Sequence, residues 1–160
     1  MIKKLKIYLD TSVINFLFAD DAPEKKDITI DFFENFLDEY EVYISSIVID
    51  EIDNTRDNKK RIELNQAIKK FGIREYENIN DEIENIANIY IDRKIIPESK
   101  FEDALHIAYA TFYEFDILLS WNFKHLANIN KQKHVNAVNI RIGYNKPLLL
   151  LNPMEVIYEK

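Results

Sequence analysis

The sequence predicts an α/β fold, a mainly parallel sheet with helices on its faces, and three observations lead there. Short apolar strand candidates alternate with helix candidates along the chain, the order of elements that builds a parallel sheet under helices. Polar residues close two of those strands, with Asp10 after one and Ser120–Asn122 after another. Ligands of parallel sheets gather beyond such strand ends. The chain, 160 residues long, shows no internal repeat, low-complexity tract or linker, so 1–160 reads as a single domain large enough to bury a core.

The elements follow in order. Lys6–Leu9 reads as a strand, and Ser12 is placed to cap a helix through Val13–Phe18 ahead of a polar loop, DDAPEKKD. Ile28, Phe32, Phe33, Phe36 and Leu37 repeat at helical spacing, which predicts a helix over Ile28–Tyr40. Glu41–Ser45 is a short strand, after which Ser46 is positioned to cap a helix through Ile47–Asp53. The charged stretch NTRDNKKRIELNQAIKK continues as an exposed helix to a turn at Gly72. Ile83, Ile86, Ala87, Tyr90 and Ile91 mark another amphipathic helix, stopped before Pro97. A long helix runs from Lys100 to about Glu114, with Ser99 and Glu102 at capping-box spacing. Then come a strand, FDILLS, a helix start at WNFKHLAN, and a C-terminal region that reads as extended segments around a Gly/Pro turn.

Composition excludes several functions. Net charge is -7 and the isoelectric point about 5.0, which argues against wrapping nucleic acid with a basic surface. Acids converging on one cleft could still serve a nucleic-acid enzyme, because bound divalent cations would reverse the local sign. With no cysteine there are no disulfides or thiolate metal sites, and two glycines leave no glycine-rich phosphate loop. No apolar run reaches bilayer length and no signal-peptide stretch is visible, so the expectation is a cytoplasmic protein without a membrane segment.

Three acids resist a purely solvated reading. Asp10 interrupts two apolar runs, where an unpaired buried charge costs several kcal/mol. It either turns to solvent or meets something positive. Glu51 lies four and three residues after Ile47 and Val48, which aims it roughly toward the core; a short acidic helix with one wet side is the equal alternative. Asp103 opens a helix that is apolar nearly all round, where the helix dipole favours an acid whether or not it has a function. Thr11 and Ser12 read as the turn shaping the Asp10 loop, with a hydroxyl available to orient a carboxylate. His106, His125 and His134 lack paired metal-site spacing and are assigned no role. The basic segments, Lys59–Arg61 with Lys69 and Lys70, and Lys131 to His134, read as solvated faces. A haloacid-dehalogenase-like phosphatase would want a second acid where Ser12 stands.

Taken together, IYLDTSVI, SSIVIDEI, FEDALHIAYA and LLSWNFKHL occur in an order that resembles the PIN-domain ribonucleases, in particular the VapC-type toxins of toxin–antitoxin pairs. The resemblance covers nearly the whole chain and lies in motif order rather than in any one motif. It matches Asp10, Glu51 and Asp103 to the family's acids, and Asn122 to a fourth polar position that carries Asp in other members. What it implies is a three-layer PIN fold, a central mainly parallel sheet with helices on both faces. It further implies Mg²⁺- or Mn²⁺-dependent endonucleolytic cleavage of RNA, with Asp10, Glu51 and Asp103 on the metal. A cognate antitoxin and a homodimer are also implied. The alternative is a PIN-like binding or assembly module with little or no nuclease activity.

Overall fold

The computed structural model describes residues 3–160 and forms an α/β fold around one five-stranded sheet. The strands are β1 (Lys6–Leu9), β2 (Glu41–Ile44), β3 (Arg74–Glu75), β4 (Ile117–Leu119) and β5 (Leu149–Leu151), in the order β3-β2-β1-β4-β5. Every pairing is parallel, as the alternation of elements predicts. Seven α-helices among the described residues flank the sheet: α1 (Thr11–Asn15), α2 (Pro23–Asp31), α3 (Ser46–Asp53), α4 (Asn58–Lys70), α5 (Asp81–Asp92), α6 (Phe101–Phe112) and α7 (Ile129–Arg141). Ile7, Tyr8 and Leu9 of β1 and all three residues of β4 are buried, so both faces of the central strands are covered. That is the three-layer arrangement expected.

Strand order places the site. From β1 the chain builds outward through β2 to β3, then returns to the other side of β1 for β4 and β5. The direction of winding therefore reverses between β1 and β4, and the crevice beyond their carboxyl ends is the switch point of the sheet. Asp10 and Ser120 are the first residues past those two strands. The ladder runs right up to them, with the Asp10 N–H donating to the Leu119 carbonyl at 3.1 Å and the Ser120 N–H to the Leu151 carbonyl at 2.9 Å.

Several local expectations are corrected. Asp10, not Ser12, caps α1, accepting from the Val13 N–H at 3.4 Å. Ser45, not Ser46, caps α3, accepting from the Ile47 N–H at 3.2 Å. DDAPEKKD is helical from Pro23 onward because proline at the first helical position loses nothing by lacking an N–H. Beyond α2 the helix widens into a π turn over Phe32–Phe36, which buries Phe32, Phe33 and Phe36 together. The charged stretch does not continue α3: residues 54–57 break the helix, and Asp57 caps a separate α4 through the Lys59 and Lys60 N–H groups. At α6 no capping box forms: Lys100 holds the cap position without a side-chain bond. WNFKHLAN is a turn, not a helix start, and the beginning of the region read as extended, VNAVNIR, belongs to α7. Among the described residues, no helix is long and apolar enough to cross a membrane.

Candidate active site

Asp10 is 4 % exposed, yet it is well supplied with donors. Ser12 Oγ donates to Oδ1 and Ser120 Oγ to Oδ2, each at 2.5 Å, the short range of hydroxyl-to-carboxylate bonds. This answers the question raised by a carboxylate between apolar runs. It neither turns outward nor rests on a single cation; one hydroxyl from α1 and one from the residue after β4 solvate it in place of water. Burial still pushes its pKa above the ordinary 3.8, against the field of His106 and the bonds from Ser12, Ser120 and Val13.

From Ser120 the network continues. The Asn122 N–H donates to Ser120 Oγ at 2.9 Å, and Asn122 Nδ2 donates to Asp103 Oδ2 at 3.3 Å. Asn122 Oδ1 in turn accepts from the His125 N–H at 3.0 Å, which fixes the amide orientation and folds residues 122–125 into a turn. One chain of hydrogen bonds thus joins Asp10, Ser120, Asn122 and Asp103. Burial raises the Asp103 carboxyl; repulsion from Glu51 adds to this, while His106, His125 and Lys100 oppose it. Mutual repulsion among carboxylates is therefore secondary to desolvation at Asp103.

Glu51 reaches the group through His106, whose Nε2 lies 2.7 Å from Glu51 Oε1. The other ring nitrogen, Nδ1, is 2.6 Å from the Tyr8 hydroxyl, which is 2.7 Å from Ser45 Oγ. The imidazole is 2 % exposed. Burial would push its pKa down, but the bond to Glu51 and the fields of Glu51, Asp10 and Asp103 outweigh that and raise it above 6.5. One buried ring therefore lies within electrostatic reach of all three acids. With Glu51 ionised, Nε2 must donate to it. A neutral ring then accepts from Tyr8 at Nδ1, while a charged ring donates there and turns the Tyr8 proton toward Ser45. Burial keeps the Tyr8 phenol protonated, raising its pKa well above 10.0.

Ser12 does what its place beside Asp10 suggested. Tyr8 and Ser45 were missing from the sequence reading, His106 was assigned no role, and Ser120 was placed at a strand end without its bond to Asp10. His106 carried a signal in its three-residue spacing from Asp103, whereas Tyr8 looked like any core aromatic on a strand. A cavity of about 480 Å³ opens beside Asp103 and Asn122, lined also by Ser99, Lys100, Phe101 and Glu102. A separate, more apolar cavity of about 340 Å³ between Leu17, Ile30 and Phe71 holds none of the candidate residues.

The donor set is all oxygen apart from the His106 ring, a chemistry suited to hard cations such as Mg²⁺ and Mn²⁺. Among the described residues, no three His, Asp or Glu side chains are gathered tightly enough to form a ready-made metal cage. The acids are instead held apart by the hydroxyl, amide and imidazole groups between them. Compared with protein-family models and with curated proteins, the chain matches none.

Proposed function

We propose that this chain is a metal-dependent endoribonuclease that hydrolyses RNA phosphodiester bonds and serves as the toxin of a toxin–antitoxin pair. The observation that carries the reading is the hydrogen-bond chain Asp10–Ser120–Asn122–Asp103 at the switch point of a parallel sheet, with Glu51 bonded to the His106 ring that acts electrostatically on both aspartates. The order of motifs resembling PIN-domain ribonucleases supplies the reaction. Acids drawn from three distant parts of the chain, two of them raised in pKa by burial, are a costly arrangement for structure alone.

Asp10 and Asp103 would hold Mg²⁺ or Mn²⁺ directly, with Glu51 on the ion or on its water. The bound ion would polarise a phosphodiester oxygen and favour hydroxide over water. Ser12 and Ser120 favour the ionised form of Asp10 against the effect of burial and fix its orientation. His106 holds Glu51 through Nε2 and is itself held by Tyr8. Asn122 orients Asp103, and its amide is the group placed to position water or the scissile phosphate.

Cleavage of structured RNA with added Mn²⁺ tests the proposal. Asp10→Asn should abolish it while the melting temperature stays within a few degrees, since Asn caps a helix as well as Asp does. Failure of the wild-type chain to cut any RNA in Mn²⁺ would sink the enzyme reading. A second reading, a PIN-like assembly module, gains weight from the lack of a ready-made three-acid cage among the described residues. A cognate antitoxin over the cleft, a homodimer and a cytoplasmic location belong to the same proposal.

A further inference from the structure

A third cavity, about 680 Å³, borders the candidate site at the 122–125 turn, where His125 lines it, and its charge differs from that of the chain. Lys94, Lys124, His125 and Lys131 line it, with Asp92 and Glu98 as the acids on the same lining, in a protein of net charge -7. His125 joins the cavity to the candidate active site. Its N–H donates to Asn122 Oδ1 at 3.0 Å, and its ring acts electrostatically on Asp103. The ring is 8 % exposed, and its Nδ1 is buried without a hydrogen-bond partner among the described residues.

The cations are placed with some local constraint. Lys131 Nζ donates to the Ile95 carbonyl, which holds its charge in the wall. Lys94 follows α5 with φ of 59°, a left-handed position that glycine fills more easily. Lys124 is exposed, and its ammonium makes no bond among the described residues, so it can meet a ligand. We propose that this cavity is a subsite for a phosphate of the RNA backbone next to the scissile one. The inference rests on the endoribonuclease reading: acids that need a metal to accept one phosphate leave its neighbours to be met by direct cations, and this lysine-bearing cavity opens beside them. His125 would complete the site by turning a ring nitrogen toward the anion.

Binding of a fluorescein-labelled single-stranded RNA, measured by anisotropy in Ca²⁺ over a range of salt, reads the subsite without relying on cleavage. Lys124→Gln should weaken binding several-fold and flatten the slope of log K against log salt by about 0.7, the value for one phosphate contact on a single strand. Lys59→Gln on α4 should change neither. In a parallel titration, inorganic phosphate should shift the His125 ring resonances saturably, and less so in Lys124→Gln. An unchanged slope overturns the subsite. Saturable phosphate binding with an unchanged RNA slope overturns the assignment to RNA backbone and leaves a free-anion site. Absent cleavage with an altered slope would instead count against the nuclease reading and spare the subsite.

Discussion

At position 106 one imidazole bridges Glu51 and Tyr8, and removing it should be felt at both ends. His106→Ala opens a buried cavity and strips Tyr8 of one of its two partners, so we expect a loss of roughly 2–4 kcal/mol in urea unfolding. His106→Gln, which keeps an amide within reach of Glu51, should recover part of it. At position 122 the amide donates to Asp103, where a carboxylate could only repel. Asn122→Asp should therefore cost about 1–2 kcal/mol of metal-free stability and tighten Mn²⁺ binding, both readable from melts with and without the ion. Asp10 and Asn122 could be picked out from the sequence because they follow strands, Asp103 because it opens an apolar helix, and Glu51 because it shares a helix face with Ile47 and Val48. Apart from Ser12, their supports could not. Ser120 reaches Asp10 across 110 residues and His106 reaches Tyr8 across 98, contacts that exist only once β1 and β4 pair and α6 packs on them.

Among elements, the helices α5, α6 and α7 are locked by a buried polar triad. Tyr90 donates to Asn139 Oδ1 at 2.5 Å and lies 3.0 Å from Thr111 Oγ1, which accepts from Asn139 Nδ2 at 3.0 Å. Tyr90→Phe leaves the Asn139 carbonyl oxygen without that donor, and a loss of about 1–3 kcal/mol is expected in chemical denaturation. The same triad explains why α7 was hidden from the sequence. VNAVNIRIGYNK is rich in β-branched residues and asparagine, which disfavour an isolated helix, but tertiary contacts override that preference. Val135 and Val138 face the core, and Asn136 ties the helix to both groups of the Leu148 backbone. Apolar strands and strongly periodic helices, by contrast, were legible because burial alone dictates them. Caps slipped by a residue where adjacent serines, Ser45 and Ser46, offer the same chemistry. The sharp turn at WNFKHLAN was missed because the Asn122 side chain, rather than a helix, satisfies the His125 N–H.

For the whole molecule, acidity and metal should act on the same groups. Asp10 and Asp103 bind protons more tightly when folded than at their ordinary 3.8, so metal-free stability should fall as pH rises from about 3.8 through their raised values. His106 adds to the trend: raised above 6.5, it contributes stability that is full below 6.5 and lost as pH climbs through its folded value. Asp116 runs the other way. Burial opposes its ionisation, but the Lys6 N–H and Lys146 win and lower it, so its contribution is lost only as pH falls below 3.8. Melts in chelator from pH 4 to 8 should therefore decline, and Mn²⁺ should lift the neutral end most. At a hundredfold excess over its dissociation constant the ion is worth about 2.7 kcal/mol, roughly 5–10 °C for a chain of this size. The parallel order of the sheet carries one more consequence, for synthesis. Asp10 emerges from the ribosome early, yet its hydroxyl donor Ser120 and the Asn122 amide are made 110 or more residues later. A prematurely released chain that stops before that point lacks the Ser120 hydroxyl and the Asn122 amide, so the hydrogen bonds that join Asp10 to Asp103 cannot form in it.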